Sequence, residues 1–155
     1  MALESKAISR IVEVTNAQLS QLKNSTVVTI QPDQLRTAYE LMRQEFPQMY
    51  HLSTITAVDE GEEISLLYHF WEGKEFLSIR TKVPKSAPSI RSIGDLIPGS
   101  ILYEAEIQDL FGVTFIGNPY TGSKLLLPND YPVDAPPPLR KEADPQKIWR
   151  NMNLE

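Results

Sequence analysis

Cysteine is absent from the 155 residues. That excludes disulfides, thiolate zinc sites and iron–sulfur ligation by this chain, and it suits a reducing compartment. Histidine is scarce, with only His51 and His69. A metal site built from these two lacks a third ligand at recognisable spacing, so both read as ordinary sheet histidines. Basic charge is in deficit: 15 Lys and Arg against 20 Asp and Glu leave a net charge of −5. A general nucleic-acid binder would be basic, so no nucleic-acid partner is expected. No apolar run approaches the ~20 residues that a bilayer span requires. Met1-Ala-Leu-Glu-Ser-Lys6 does not have the charged-then-apolar order of a signal peptide. A soluble, cytoplasmic chain is expected, touching a membrane only through partners. Phosphate-loop, Gly-x-Ser-x-Gly and HExxH patterns are also missing, and Gly94 and Gly99 do not form a dinucleotide fingerprint.

What is present suits one domain plus a tail. The hydrophobic fraction is 41% and the charged fraction 23%, far from disorder. Ile8–Val14 reads as a strand or a short helix, and Thr15-Asn16 as a cap for a helical turn over Ala17–Leu22. Thr26–Ile30 is β-branched and reads as a buried strand. After Pro32, the residues Leu35, Ala38, Tyr39, Met42 and Phe46 recur at three- and four-residue spacing, which predicts a helix closed by Pro47. His51–Val58, Ile64–Trp71 and Phe76–Val83 predict three strands joined by turns at Gly61 and Gly73. In the third strand Phe76, Ser78, Arg80 and Lys82 oppose Leu77, Ile79, Thr81 and Val83, so one face is wet and one dry. Ser89–Ile97 carries Ile90, Ile93 and Leu96 at helical spacing and predicts a short helix, broken by Pro98-Gly99.

The chain turns on Ile101–Pro119. Tyr103, Ile107, Leu110 and Phe111 share one helical face and are expected to seat the helix on the domain. Glu106 and Asp109 lie three apart and are expected to project together from a neighbouring face, with Glu104 pointing elsewhere. Such a carboxylate pair can be a metal site, an acid/base pair or an anchor for arginines. No pocket motif or further polar group accompanies it, which favours capping or an interface. Beyond Pro119 the composition changes: seven of the twelve prolines fall between Pro119 and Pro145. Pro136-Pro-Pro138 must be extended. Leu125–Leu127, Tyr131, Leu139 and Trp149 would be exposed apolar surface on a lone chain. This stretch is either a solvated tail or an arm that packs on another chain, and the apolar side chains favour the arm. The expected organisation is an α+β domain over residues 1–119, an antiparallel or mixed sheet packed by helices, with an extended proline-rich docking arm over 120–155.

One long ordered pattern resembles a known family. Glu104-Ala-Glu106-Ile-Gln-Asp109-Leu-Phe-Gly112-Val-Thr-Phe115-Ile-Gly117-Asn-Pro119 is similar to the signature of the complex I component known as NuoC, or the thirty-kilodalton subunit. Leu52–Asp59, Leu67-Tyr-His69, Lys82-Val-Pro84, Ser92–Gly99, Leu125–Pro128 and Leu139-Arg-Lys141 look like other segments of that family. Ala105 stands where complex I members usually carry Arg, and Asn118 where they carry His. With the short chain and an arm that reads Leu125-Leu-Leu-Pro-Asn-Asp-Tyr-Pro132 before Leu139-Arg-Lys141, these departures resemble the homologous subunit of membrane-bound, energy-converting nickel–iron hydrogenases.

The resemblance implies a non-catalytic subunit with no cofactor of its own and no activity alone. Iron–sulfur clusters and a nickel–iron or quinone site are then expected in partner subunits. The implied partners are a large hydrogenase-like, NuoD-like subunit and a small iron–sulfur, NuoB-like subunit. The implied setting is the cytoplasmic face of the cell membrane, in a complex coupling electron transfer to ion translocation. Glu104, Glu106, Asp109, Phe111, Gly112, Gly117, Pro119, Leu139, Arg140 and Lys141 would be structural or interfacial, with Glu106 and Asp109 meeting arginines of the large subunit. Competing readings are an NADH:quinone or F(420)H(2)-type dehydrogenase subunit, a self-contained enzyme using Glu106 and Asp109, or a free adaptor binding through the proline arm.

Overall fold

The computed structural model describes residues 6–22, 25–45, 51–71 and 76–152. The chain divides into two compact units, one of residues 1–58 with 65–83 and one of residues 59–64 with 84–155. Residues 120–152 thus belong to the same unit as the segment around Ile101–Pro119.

The first unit is built on a five-stranded mixed sheet in the order β1-β2-β5-β4-β3. Helix α1 (Lys6–Thr15) buries Ile8, Ile11 and Thr15, three residues on one amphipathic face. Asn16 ends it with φ at +51°, the left-handed conformation that Asn tolerates as a helix stop. It therefore does not cap a second helix. The expected turn over Ala17–Leu22 is corrected to strand β1 (Gln18–Leu22), antiparallel to β2 (Ser25–Thr29) with Leu19 opposite Val28. Strand β2 runs parallel to β5 (Phe76–Pro84), Val28 opposite Ile79. Helix α2 (Leu35–Glu45) follows a 3-10 turn over Pro32–Gln34 and buries Leu35, Ala38, Tyr39 and Met42, the face that the spacing predicts. The expected positions Phe46 and Pro47, and the turn at Gly73, lie outside the described residues. Tyr39 stacks on Phe70 with ring centroids 5.8 Å apart, which seats α2 on the sheet. β3 (Leu52–Asp59) and β4 (Glu63–Trp71) are neighbours joined by three residues, so they pair as a hairpin. His69 spans β5 and β3, its Nδ1 2.8 Å from Ser78 Oγ and its Nε2 3.1 Å from Thr56 Oγ1. It is a sheet histidine, as expected, and burial lowers its pKa.

The second unit holds β6 (Ser89–Arg91), α3 (Ser100–Phe111), β7 (Thr114–Ile116) and α4 (Pro145–Asn151). The helix expected over Ser89–Ile97 is corrected. Ile90 pairs in register with Phe115 of the parallel strand β7, and both are buried. Ser92 N–H to Ile116 O and Thr114 N–H to Pro88 O extend the ladder. Ile93 is buried from the turns that follow. Pro88, Gly94 and Pro98 leave no room for a continuous helix, and a strand followed by turns buries the same two isoleucines. The arm is also more regular than expected. Asp144 caps α4, its Oδ1 accepting from the N–H groups of Gln146 (3.0 Å) and Lys147 (3.4 Å), with Pro145 in the first turn. That Asp-Pro start is a local helix signal.

Candidate protein-docking site

Helix α3 carries two of the three buried carboxylates among the described residues. Its buried residues are Ser100, Glu104, Ala105, Ile107 and Asp109. Tyr103, Leu110 and Phe111 are only half-buried, so of the predicted apolar seat Ile107 alone lies in the core. The inward stripe is mixed, because two of its carboxylates have found donors inside the unit.

Glu104 is fully buried. It accepts from the Ser92 hydroxyl, from Ile93 N–H at 2.9 Å and from Asn118 Nδ2 at 2.8 Å. Deleting such a partner from a buried polar group costs about 1–3 kcal/mol. Asn118 also donates from Nδ2 to Ile101 O at 3.0 Å and accepts Tyr120 N–H at 2.8 Å. This amide joins the start of α3 to the start of the arm.

The arm then follows α3 toward its C-terminus. Gln108 Nε2 donates to Tyr120 O (3.1 Å) and Ser123 O (2.9 Å). One oxygen of Asp109 accepts three consecutive backbone N–H groups, from Leu125 (2.8 Å), Leu126 (2.6 Å) and Leu127 (3.1 Å). Leu139 N–H meets Leu110 O at 3.0 Å. Arg140 Nε donates to Phe111 O at 2.7 Å, placing a cation at the negative end of the helix. Gly112 stops α3 with φ at +69° and its N–H on Gln108 O.

The expectation that Glu106 and Asp109 share an outward face is thereby corrected. Asp109 is 6% exposed and its carboxylate holds the arm, whereas Glu106 faces solvent. Of the other predicted positions, Phe111 is half-buried under the arm, Gly117 has φ at +92°, and Pro119 is exposed. Leu139 is exposed, Arg140 is half-buried, and the Lys141 side chain is exposed while its N–H bonds to Asp59 Oδ2 at 2.9 Å. Sequence reasoning missed Asp59 and Lys85, which face each other at 2.7 Å, with Lys85 also paired to Glu142. The Lys85 ammonium and the Lys141 N–H hold the Asp59 carboxyl far below the ordinary value. Asp59-Glu-Gly61, whose Gly61 N–H bonds Asp59 Oδ1 at 2.8 Å, was the one local signal, an Asx turn.

Much apolar surface stays outside this frame: Leu102 is 54% exposed, Ile116 58%, Leu126 56%, Leu139 54% and Trp149 62%. Among the described residues no helix is long and apolar enough to cross a membrane, and no group of three or more His, Asp or Glu is placed to hold a metal ion.

The fold is similar to that of chains in two solved structures. The chain is similar to one in the structure of the membrane-bound sulfane sulfur reductase, an archaeal respiratory membrane complex, with a TM-score of 0.78 and 22% identity over 99% of this chain and 93% of that one. It is also similar to the trypsin-resistant fragment of Nqo5, with a TM-score of 0.60 and 18% identity over 73% of this chain and 98% of that one. At those identities the likeness is one of fold. The family model for the respiratory-chain NADH dehydrogenase 30 Kd subunit matches residues 28–148, and the chain belongs to that family. Its relatives include the C/D subunit of the NADH-quinone oxidoreductase of Gluconacetobacter diazotrophicus, 31% identical over 73% of this chain and 20% of that protein. The C subunit of the same type of enzyme in Roseiflexus castenholzii is 27% identical over 80% of this chain and 72% of the relative. The C subunit of the F(420)H(2) dehydrogenase of Methanosarcina mazei is 28% identical over 68% of each. The chain therefore spans about a fifth of the length of the C/D relative and most of the length of the C subunits.

Proposed function

We propose that this chain is a non-catalytic, cofactor-free structural subunit of a membrane-bound oxidoreductase, of the energy-converting hydrogenase type. Its second unit packs on a large NuoD-like subunit, beside a small iron–sulfur NuoB-like one. The chain rests on the cytoplasmic face of the membrane only through these partners, and it supports electron transfer coupled to ion translocation. The observation that carries the reading is the family match over residues 28–148, together with relatives in which a C-type portion forms one polypeptide with D. The arm supports it: several of its backbone groups bond to α3 while Leu126, Leu139 and Trp149 stay outside, as expected of a surface that a partner covers. Glu106, Gly117, Pro119, Leu139 and Lys141 are the exposed members of the predicted interface, and Glu104, Asp109 and Arg140 shape it from within. Ala105 and Asn118 favour the hydrogenase-type complex over a quinone-reducing one. An affinity tag on this chain, purification from detergent-solubilised membranes and mass spectrometry test the reading. Co-purification of a D-type large subunit, with nickel and iron in the preparation and hydrogen evolution, is expected. Nickel-free preparations that reduce quinone would move the chain to the complex I reading. A chain that purifies alone would remove it from both.

A further inference from the structure

We propose that Leu126 is the apolar anchor of the docking surface, presented on a loop that Asp109 holds in shape, and that it enters an apolar pocket rimmed by arginine or lysine on the large D-type subunit. This deepens the functional reading above and rests on it. The loop is satisfied from inside. The Leu125, Leu126 and Leu127 N–H groups end on one Asp109 oxygen. Gln108 takes up the carbonyls of Tyr120 and Ser123. The Lys124 ammonium turns back on the carbonyls of Pro128 (3.2 Å), Asn129 (3.1 Å) and Tyr131 (3.4 Å). What the loop offers outward is therefore side chain, with Leu126 56% and Leu125 37% exposed. A pre-shaped apolar tip loses little entropy on docking, which is the condition for a hot spot.

Charge selects the occupant. The loop's own cation is spent on its carbonyls, while Asp130 within it and Glu106, one helical turn before Asp109, are exposed. Two exposed carboxylates against the single Lys124 ammonium leave the fringe of the tip net negative, on a chain of net charge −5. A second copy would set acid against acid, whereas a partner with a basic rim is complementary. Asp109 thus acts as a positioning residue, and the arginine contact expected of it falls to Glu106.

The chain has no cysteine, so Leu126→Cys can carry a single solvent-sensitive fluorophore on the full-length protein. On adding the purified D-type subunit, label at 126 is expected to shift to the blue, while label at the exposed Gln44→Cys on α2 stays unshifted. Leu126→Asp is expected to weaken binding about tenfold or more, the loss typical of a hot-spot side chain. Its thermal midpoint should match wild type, because the side chain is exposed. Asp109→Asn should weaken binding and speed amide exchange at 125–127, and Glu106→Lys should reverse the salt dependence. Unchanged binding by Leu126→Asp, or an unshifted 126 label in the bound complex, overturns the anchor while leaving the functional reading intact. A concentration-dependent shift with the chain alone identifies a second copy and overturns the proposal. Failure of the wild-type chain to bind the D-type subunit overturns the functional reading, and the anchor with it.

Discussion

Asp59 closes β3 and draws three stretches of the second unit together: its own turn through Gly61 N–H, the loop after β5 through Lys85 Nζ, and the arm through Lys141 N–H. Charge-assisted bonds from several donors favour the ionised form. The ammonium of Lys85 and the N–H of Lys141 push the carboxyl well below its ordinary 3.8. Lys85 likewise lowers Glu142, and Asp59 followed by Glu142 raises Lys85 above 10.5. The signs give two limbs. A carboxyl lowered on folding contributes stability that is fully present above pH ~4 and is lost as pH falls toward the folded value. A raised lysine contributes stability that is present below its ordinary pKa of 10.5 and is lost as pH rises through the folded value. Denaturant midpoints should therefore be flat in the middle range and fall on both sides. Asp59→Asn should lower the plateau by about 1–3 kcal/mol and flatten the acid limb. An acid limb that superimposes on wild type would show that Asp59 does not shape it.

At the level of elements, α3 and its stop decide the path of the arm. A Cβ on Gly112 would lie 2.8 Å from Pro137 Cγ and 3.1 Å from Arg140 Nη2, on a residue whose φ is +69°. Gly112→Ala combines left-handed strain of about 1–2 kcal/mol with displacement of the guanidinium that caps Phe111 O. Unfolding free energy should fall by at least that strain, with the Leu139 amide exchanging faster; an unchanged value would mean the arm moves freely. Elements with short-range signals were legible in the sequence. The helix face at Leu35, Ala38, Tyr39 and Met42 is a period of three and four, and the dry face of β5, Leu77, Ile79, Thr81 and Val83, is a period of two, although Ser78 on the face expected to be wet is buried as well, under His69 Nδ1. β6 was not legible, because Ile90 and Ile93 fit a helical spacing and only pairing with Phe115, far along the chain, selects the strand. The docking frame was half legible. The signature marked Glu104 and Asp109 and the Leu139-Arg-Lys141 segment marked Arg140, but whether a carboxylate faces a partner or its own arm depends on N–H groups at Leu125–Leu127, which no local pattern reports.

For the molecule as a whole, the arm is structure as well as surface. Asn118, Gln108, Asp109 and the carbonyls of Leu110 and Phe111 bind α3 to residues 120–140, and Ile148 of α4 is buried in the same unit. Ending the chain after Pro119 would strip Asp109 of three donors, leave two helix carbonyls uncapped and remove the Lys141 N–H from Asp59. Each loss costs about 1 kcal/mol or more, and together they are comparable with the marginal stability of a small domain. The shortened chain should therefore show α3 and β7 amides exchanging at least tenfold faster, measured against β2 and β5 amides as internal reference. It should fail to capture the D-type subunit even where its first unit is folded. Native-like protection of α3 without the arm would show that the arm only lies on the second unit. Docking and folding would then be separable properties of the chain. If protection is lost, the leucines offered to a partner and the frame that offers them come from one segment, and partner binding stabilises the chain's own fold by mass action.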